Sequence, residues 1–155
     1  MYVEISKKAE LFLKAIEDIW SAEQLWGGSP NNAVWHCTQA AEKVMKGFLR
    51  CHNMDYDCGH ELRPLLEVVE SVFELSAEAK KSIVFLDDFG VGLRYKNMSD
   101  DPSQGDAKVA ISRAKHIMQE FKNHADVTAY MKEGEEVHQK ILKASLQETS
   151  DDPKN

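Results

Sequence analysis

The stretch Trp35-His36-Cys37-Thr38-Gln39-Ala40-Ala41-Glu42-Lys43-Val44-Met45-Lys46-Gly47-Phe48-Leu49 decides how the chain is read. With Val34 before it and Cys51 after it, Cys37, Ala41, Val44 and Phe48 form an apolar series at steps of three and four. That is the period of one helical face and not of a strand. The stripe is narrow, as expected for packing along a nearly antiparallel neighbour. The other side holds Gln39, Glu42, Lys43 and Lys46. A helix that only fills a core is indifferent to what covers that side, so these four residues raise a functional question.

Upstream, Ile5, Ala9, Phe12, Leu13, Ile16, Ile19 and Trp20 repeat the same spacing and predict a first helix to about Trp26. Gly27-Gly28-Ser29-Pro30 ends it, and Asn31 or Asn32 is the expected N-cap of the second helix. Downstream, Leu62, Leu65, Leu66, Val69 and Phe73 predict a third helix with Pro64 in its first turn, where a missing N–H costs little. Ser76 is positioned to cap a fourth helix through Ala79, Ile83, Leu86, Phe89 and Leu93, weakened at its end by Gly90 and Gly92.

Residues from Arg94 to Gly105 read as a loop. Ser103 and Asp106 have capping-box spacing for a fifth helix with Ala107, Ala110, Ile111, Ala114, Met118 and Phe121. A last amphipathic segment runs from Val127 to Leu146 and contains Gly134. The expectation is an all-α, up-and-down four- or five-helix bundle over residues 1–125, an appended amphipathic helix over 126–147, and a flexible tail over 148–155.

A chain of 155 residues is long enough for one core without metal or disulfide staples. The net charge of −7 argues against a broad nucleic-acid or anionic-membrane surface, because such surfaces work by neutralising phosphate. It leaves room for a local basic pocket. No run approaches the roughly 18 apolar residues of a membrane span. Three cysteines without a repeating frame read as reduced thiols, and the expected location is cytoplasmic.

Three motifs occur in order: Gln39-Ala40-Ala41-Glu42-Lys43 with Lys46, then His60-Glu61-Leu62, then Arg94-Tyr95. Together they resemble the HEPN family (higher eukaryotes and prokaryotes nucleotide-binding domains). Its bacterial members carry a Gln-Ala-Ala-Glu-Lys-Ala-x-Lys-like run on an early helix. A His-Asp-Leu-like triplet opens the next, and an Arg-Tyr-Pro-like motif precedes the final one. The likeness spans about Ser6 to Phe121. It implies a compact helical bundle, usually a homodimer, often encoded beside a minimal nucleotidyltransferase. Some members are metal-independent endoribonucleases that use an Arg followed four to six residues later by His. Here Tyr95, Lys96, Asn97, Met98, Ser99, Asp100 and Asp101 follow Arg94 with no histidine, and Lys96 stands where many relatives have proline. Arg50 with His52 and Arg113 with His116 have the wrong spacing. A ribonuclease of that type needs the histidine as the group that handles a proton near neutral pH.

The candidate ligand-binding residues are therefore Lys43, Lys46, His60, Arg94 and Tyr95, with no catalytic residue among them. Lys43 and Lys46 sit on neighbouring turns of one face and can approach one phosphate. The simpler reading is a solvated face with Glu42 and Lys46 as a weak intrahelical pair. His60 either binds a phosphate or base, or caps and orders the preceding loop. Arg94 can fork onto phosphate while Tyr95 stacks on a base, or the two can close a helix end and the core.

Of the donors His36, Cys37, Cys51, His52, Cys58 and His60, the two cysteines on the apolar stripe read as core thiols. Cys58-x-His60 is no zinc knuckle, so no metal is expected. Trp20, Trp26 and Trp35 read as core before they read as a nucleobase platform. No Gly-rich phosphate loop is present, and no cofactor is expected.

The leading expectation is a non-catalytic, homodimeric HEPN-like module that binds nucleotide or RNA and acts with a nucleotidyltransferase partner. One alternative is an endoribonuclease toxin of a toxin–antitoxin pair, with His60 or His116 assisting Arg94. The other is a purely structural interaction bundle whose C-terminal segment docks onto a partner.

Overall fold

A computed structural model of the chain describes residues 3–54, 56, 59–95 and 101–150, with residues 91–95 as backbone alone. The described residues form six helices and no strand: α1 (Glu10–Leu25), α2 (Pro30–Cys51), α3 (Leu62–Glu70), α4 (Ala77–Tyr95), α5 (Gln104–Lys122) and α6 (Ala125–Ser150). The all-α class expected from the periodicity is what the chain adopts.

The boundaries shift where local chemistry outweighs the pattern. The first segment enters α1 through a turn closed by Ala9 N–H on Ser6 C=O, so Ile5 lies outside the helix. Ser29, not Asn31 or Asn32, occupies the cap position of α2, with Pro30 as its first residue. Proline is suited there, since its fixed φ is helical and its missing N–H has no intrahelical partner to lose. Asn32 instead donates its side-chain amide to Ser29 Oγ at 2.8 Å.

α4 passes through Gly90 and Gly92 and ends at Tyr95, so Arg94 and Tyr95 are helical and not part of a loop. Each glycine costs about 1 kcal/mol of helix propensity, but burial of Ala79, Ile83 and Leu86 anchors the helix. Residues 96–100 of the expected loop lie outside the described residues. α6 extends to Ser150, past the expected end at Gln147.

The anticipated caps form. Ser76 Oγ accepts from Ala79 N–H at 3.1 Å. Ser103 and Asp106 make both bonds of a capping box. The α3 cap comes from elsewhere in the chain. Asp87 of α4 accepts from Leu62 N–H at 2.8 Å, and Arg63 bridges Asp87 and Asp88.

α2 is the centre of the bundle, not a helix with one narrow seam. Twelve of its 22 residues are buried, and α1, α3, α4 and α5 all pack against it. Small residues make this possible. A Cβ at Gly47 would sit 2.9 Å from the Phe12 ring, so that ring from α1 lies directly on the α2 backbone there. Fully buried Phe48 meets Phe121 and partly buried Phe73 in one aromatic cluster.

α6 leans on α1 through Gly134, where an added Cβ would lie 3.1 Å from Leu13 N. Ser6 then clips the N-terminal turn to α6 by donating its N–H and hydroxyl to Glu133. Those two bonds hold the Glu133 carboxyl below its ordinary value. No helix of the described residues is long and apolar enough to cross a membrane.

Candidate functional site: the polar face of the central helix

Trp35, Gln39, Glu42, Lys43, Lys46 and Arg50 recur at steps that place them along one side of α2. This face is organised by two buried carboxylates. Asp18 of α1, 7% exposed, uses both oxygens: Oδ1 lies 2.8 Å from His36 Nδ1, and Oδ2 accepts from Lys43 Nζ at 2.5 Å. His36 and Lys43 are seven residues apart, about two helical turns, so one carboxylate reaches both. Because a carboxylate only accepts, the proton of the first bond sits on His36 Nδ1.

Glu42, 4% exposed, holds the second set. Its Oε1 accepts from Lys46 Nζ at 3.0 Å and lies 3.1 Å from His60 Nδ1. The Glu42–Lys46 pair has the expected spacing but is not a solvated surface pair, since the carboxylate is withdrawn from water. His60 is not the cap of α3, which Asp87 supplies. Its side chain is 60% exposed, and it is carried to Glu42 by a turn through Gly59, whose φ of +63° is the left-handed conformation glycine adopts without strain.

Lys43, Lys46 and His60 are thus brought onto one surface, each tied to a carboxylate. The two ammonium charges cancel the two carboxylates. Each ammonium has three donors and uses one of them among the described residues, so donors remain for a ligand although the net field is weak.

α4 reaches α2 at Gly90, where an added Cβ would lie 3.5 Å from Thr38 Cγ2. The backbone at Arg94 lies one turn beyond that contact; the side chains of Arg94 and Tyr95 lie outside the described residues. His116 on α5 stands 3.8 Å from Glu120 and 3.9 Å from Glu78.

Two further residues join the site: Asp18, which is not among the candidates read from sequence, and Trp35, which reads there as core before nucleobase platform. Asp18 falls in step with the buried Ala15 and Ala22, and a carboxylate on an apolar stripe is a sign of a buried partner. Trp35 is 46% exposed on the same face as Gln39 and Lys46, and Trp20 is exposed too, which corrects the assignment of both rings to the core. A flat exposed indole on the helix face that also carries two ammonium groups is suited to stack on a base. Cys37 is fully buried, and burial, with smaller contributions from Asp18 and Glu23, pushes its thiol up to about 12. It is not a nucleophile. Cys51 is only partly buried, with its Sγ toward Lys8 C=O.

The family model of the HEPN domain matches residues 4–125. The chain belongs to the HEPN family. A solved archaeal HEPN homologue superposes with a TM-score of 0.63, covering 76% of this chain and 97% of its own at 22% identity. At that identity the likeness establishes the fold alone. No curated protein matches the chain significantly. The HEPN match covers α1 to α5, which includes the whole α2 face and its carboxylates, and stops where α6 begins.

Proposed function

We propose that this HEPN protein is a non-catalytic binding module whose α2 face takes a nucleotide or a short single-stranded RNA. The observation that carries this reading is the placement of Trp35, Lys43 and Lys46 on one exposed side of α2, with Asp18 and Glu42 buried beneath to hold the cations in place. Trp35 stacks on a base, at about 1–3 kcal/mol. The free donors of Lys43, Lys46 and His60 meet a phosphate. Because the carboxylates cancel the ammonium charges, affinity is modest and owes as much to stacking as to charge.

The ribonuclease alternative needs a histidine beside Arg94. None follows in the motif spacing, His60 is engaged by Glu42, and His116 stands beside two glutamates. The protein acts as a homodimer with a minimal nucleotidyltransferase, a reading supported by family membership. A groove of about 420 Å³ between α1, α5 and α6, lined by Trp20 and Met118 together with Glu23, Lys115, Lys122 and Glu135, is the face we assign to the second copy.

The test is titration of the full chain with ATP and with short RNAs, followed by NMR. Shifts confined to α2 and His60, weakened at least about fivefold in Trp35→Ala and Lys46→Ala, are expected. Absence of binding at millimolar nucleotide overturns the reading, and so does RNA cleavage by the purified protein.

A further inference from the structure

Away from the α2 face, the end of α2 and the start of α6 bring His52 together with His124 and Asp126, which are distant from it in sequence. His52 is the C-cap of α2, placed by its N–H on Leu49 C=O at 2.9 Å. His124 follows α5, with its N–H on Phe121 C=O at 3.0 Å, and Asp126 lies in the first turn of α6. The ligand atoms of the three residues all lie within 4.8 Å of one another.

Asp126 Oδ2 is 3.6 Å from His52 Nε2 and 3.8 Å from His124 Nδ1. These separations are too long for hydrogen bonds. They are close to the roughly 3.3–3.4 Å edge of a tetrahedron built on bonds of about 2.0–2.1 Å. His52 Nε2 is buried and has no hydrogen-bond partner among the described residues, an arrangement that costs stability unless something fills it. His124 Nδ1 accepts a long bond, 3.3 Å, from Asp126 N–H; an ion on Nδ1 takes that lone pair and leaves this exposed first-turn amide to water.

Both rings are held from behind. The His52 ring lies 4.5 Å from Phe48, and the His124 ring lies 4.5 Å from Phe73 and 5.2 Å from Phe48. The imidazoles therefore stand in an apolar socket and meet edge to face, with ring centres 5.8 Å apart. The Asp126 side chain is 59% exposed and leaves the outer side of the cluster open to water.

We propose that His52, His124 and Asp126 bind one divalent transition-metal ion of the zinc class, with water in the fourth position. Two imidazoles and one carboxylate are the donors that zinc, cobalt and nickel accept, whereas magnesium and calcium call for oxygen alone. Cys51 is not the fourth ligand, because its thiol is directed to Lys8 C=O. The ion staples the C-terminal end of α2 to the first turn of α6. It is independent of nucleotide binding on the α2 face.

The full chain, stripped with chelator, is titrated with Zn²⁺ by calorimetry and with Co²⁺ by visible absorption. One equivalent is expected, with the visible bands of tetrahedral cobalt and no thiolate charge-transfer band. At a hundredfold excess over its dissociation constant, zinc raises Tm by about 5–10 °C. His124→Gln and Asp126→Asn each weaken binding at least about tenfold. Asp126 is exposed, so its variant keeps the metal-free fold and tests the site even if a histidine variant does not. No binding, a thiolate band, or unchanged affinity in Asp126→Asn overturns the proposal.

Discussion

Lys43 of α2 donates to Asp18 of α1 across 2.5 Å, and this bond joins the two helices at the edge of the candidate site. Asp18 is buried, so removing its partner leaves a charge that water reaches poorly. Lys43→Ala is expected to destabilise the protein by about 1–3 kcal/mol, measured by urea unfolding. His36 remains on the other oxygen and keeps the loss below that of a fully orphaned carboxylate. A fully stable Lys43→Ala protein would show that the pair is solvated. Trp35→Ala is therefore the cleaner probe of ligand binding, since Lys46→Ala likewise removes a partner of buried Glu42.

Asp87 caps α3 from α4 and also holds Arg63. Asp87→Ala is expected to cost about 1–2 kcal/mol, the upper range for a lost N-cap. The readout is hydrogen exchange: amides in the first turn of α3 lose protection first, while the core of α2 stays protected. Uniform loss across the bundle would mean that the bond is not a local cap.

Gly134 is where α6 comes closest to α1. An added Cβ meets backbone, Leu13 N at 3.1 Å, and the Ile16 side chain at 3.3 Å. A backbone neighbour yields only if the helix moves. Gly134→Val is expected to lower stability by about 1–3 kcal/mol through overpacking. In Gly134→Ala a gain of about 1 kcal/mol in helix propensity offsets a smaller clash. Thermal unfolding of the pair checks this, and a Val variant as stable as the parent would place α6 elsewhere.

Cys37 has a thiol pushed up to about 12 by burial first, then by Asp18 and Glu23. Its folded value is raised above the unfolded one, so the stability linked to it is present below the ordinary thiol value of about 8.5 and is lost as pH rises from there toward 12. Alkylation followed by mass spectrometry at pH 8 should leave Cys37 unmodified until denaturant is added. The alkaline decline in stability should be smaller in Cys37→Ala. Rapid labelling of the native protein would contradict the burial.

Periodicity was enough to determine an all-helical bundle, the existence of each helix and the two hydroxyl caps at Ser76 and Ser103. These depend on interactions within three or four residues, which adjacent letters encode. It also placed Lys43 and Lys46 on one side of α2, and the residues after Arg94 include no histidine at the required spacing, whereas His60 reaches that side only through the turn at Gly59.

Tertiary structure alone decided what those side chains hold. Asp18 and Lys43 are 25 residues apart, as are Leu62 and Asp87. His52 meets His124 and Asp126 only because α6 begins beside the end of α2. Burial turns Glu42 from a solvated helix charge into the carboxylate that positions Lys46 and His60, while exposure frees Trp35 from the core. The physical reason is common to all of them. Helical period records which residues share a face, but partners across faces and access to water are set by how six helices stack.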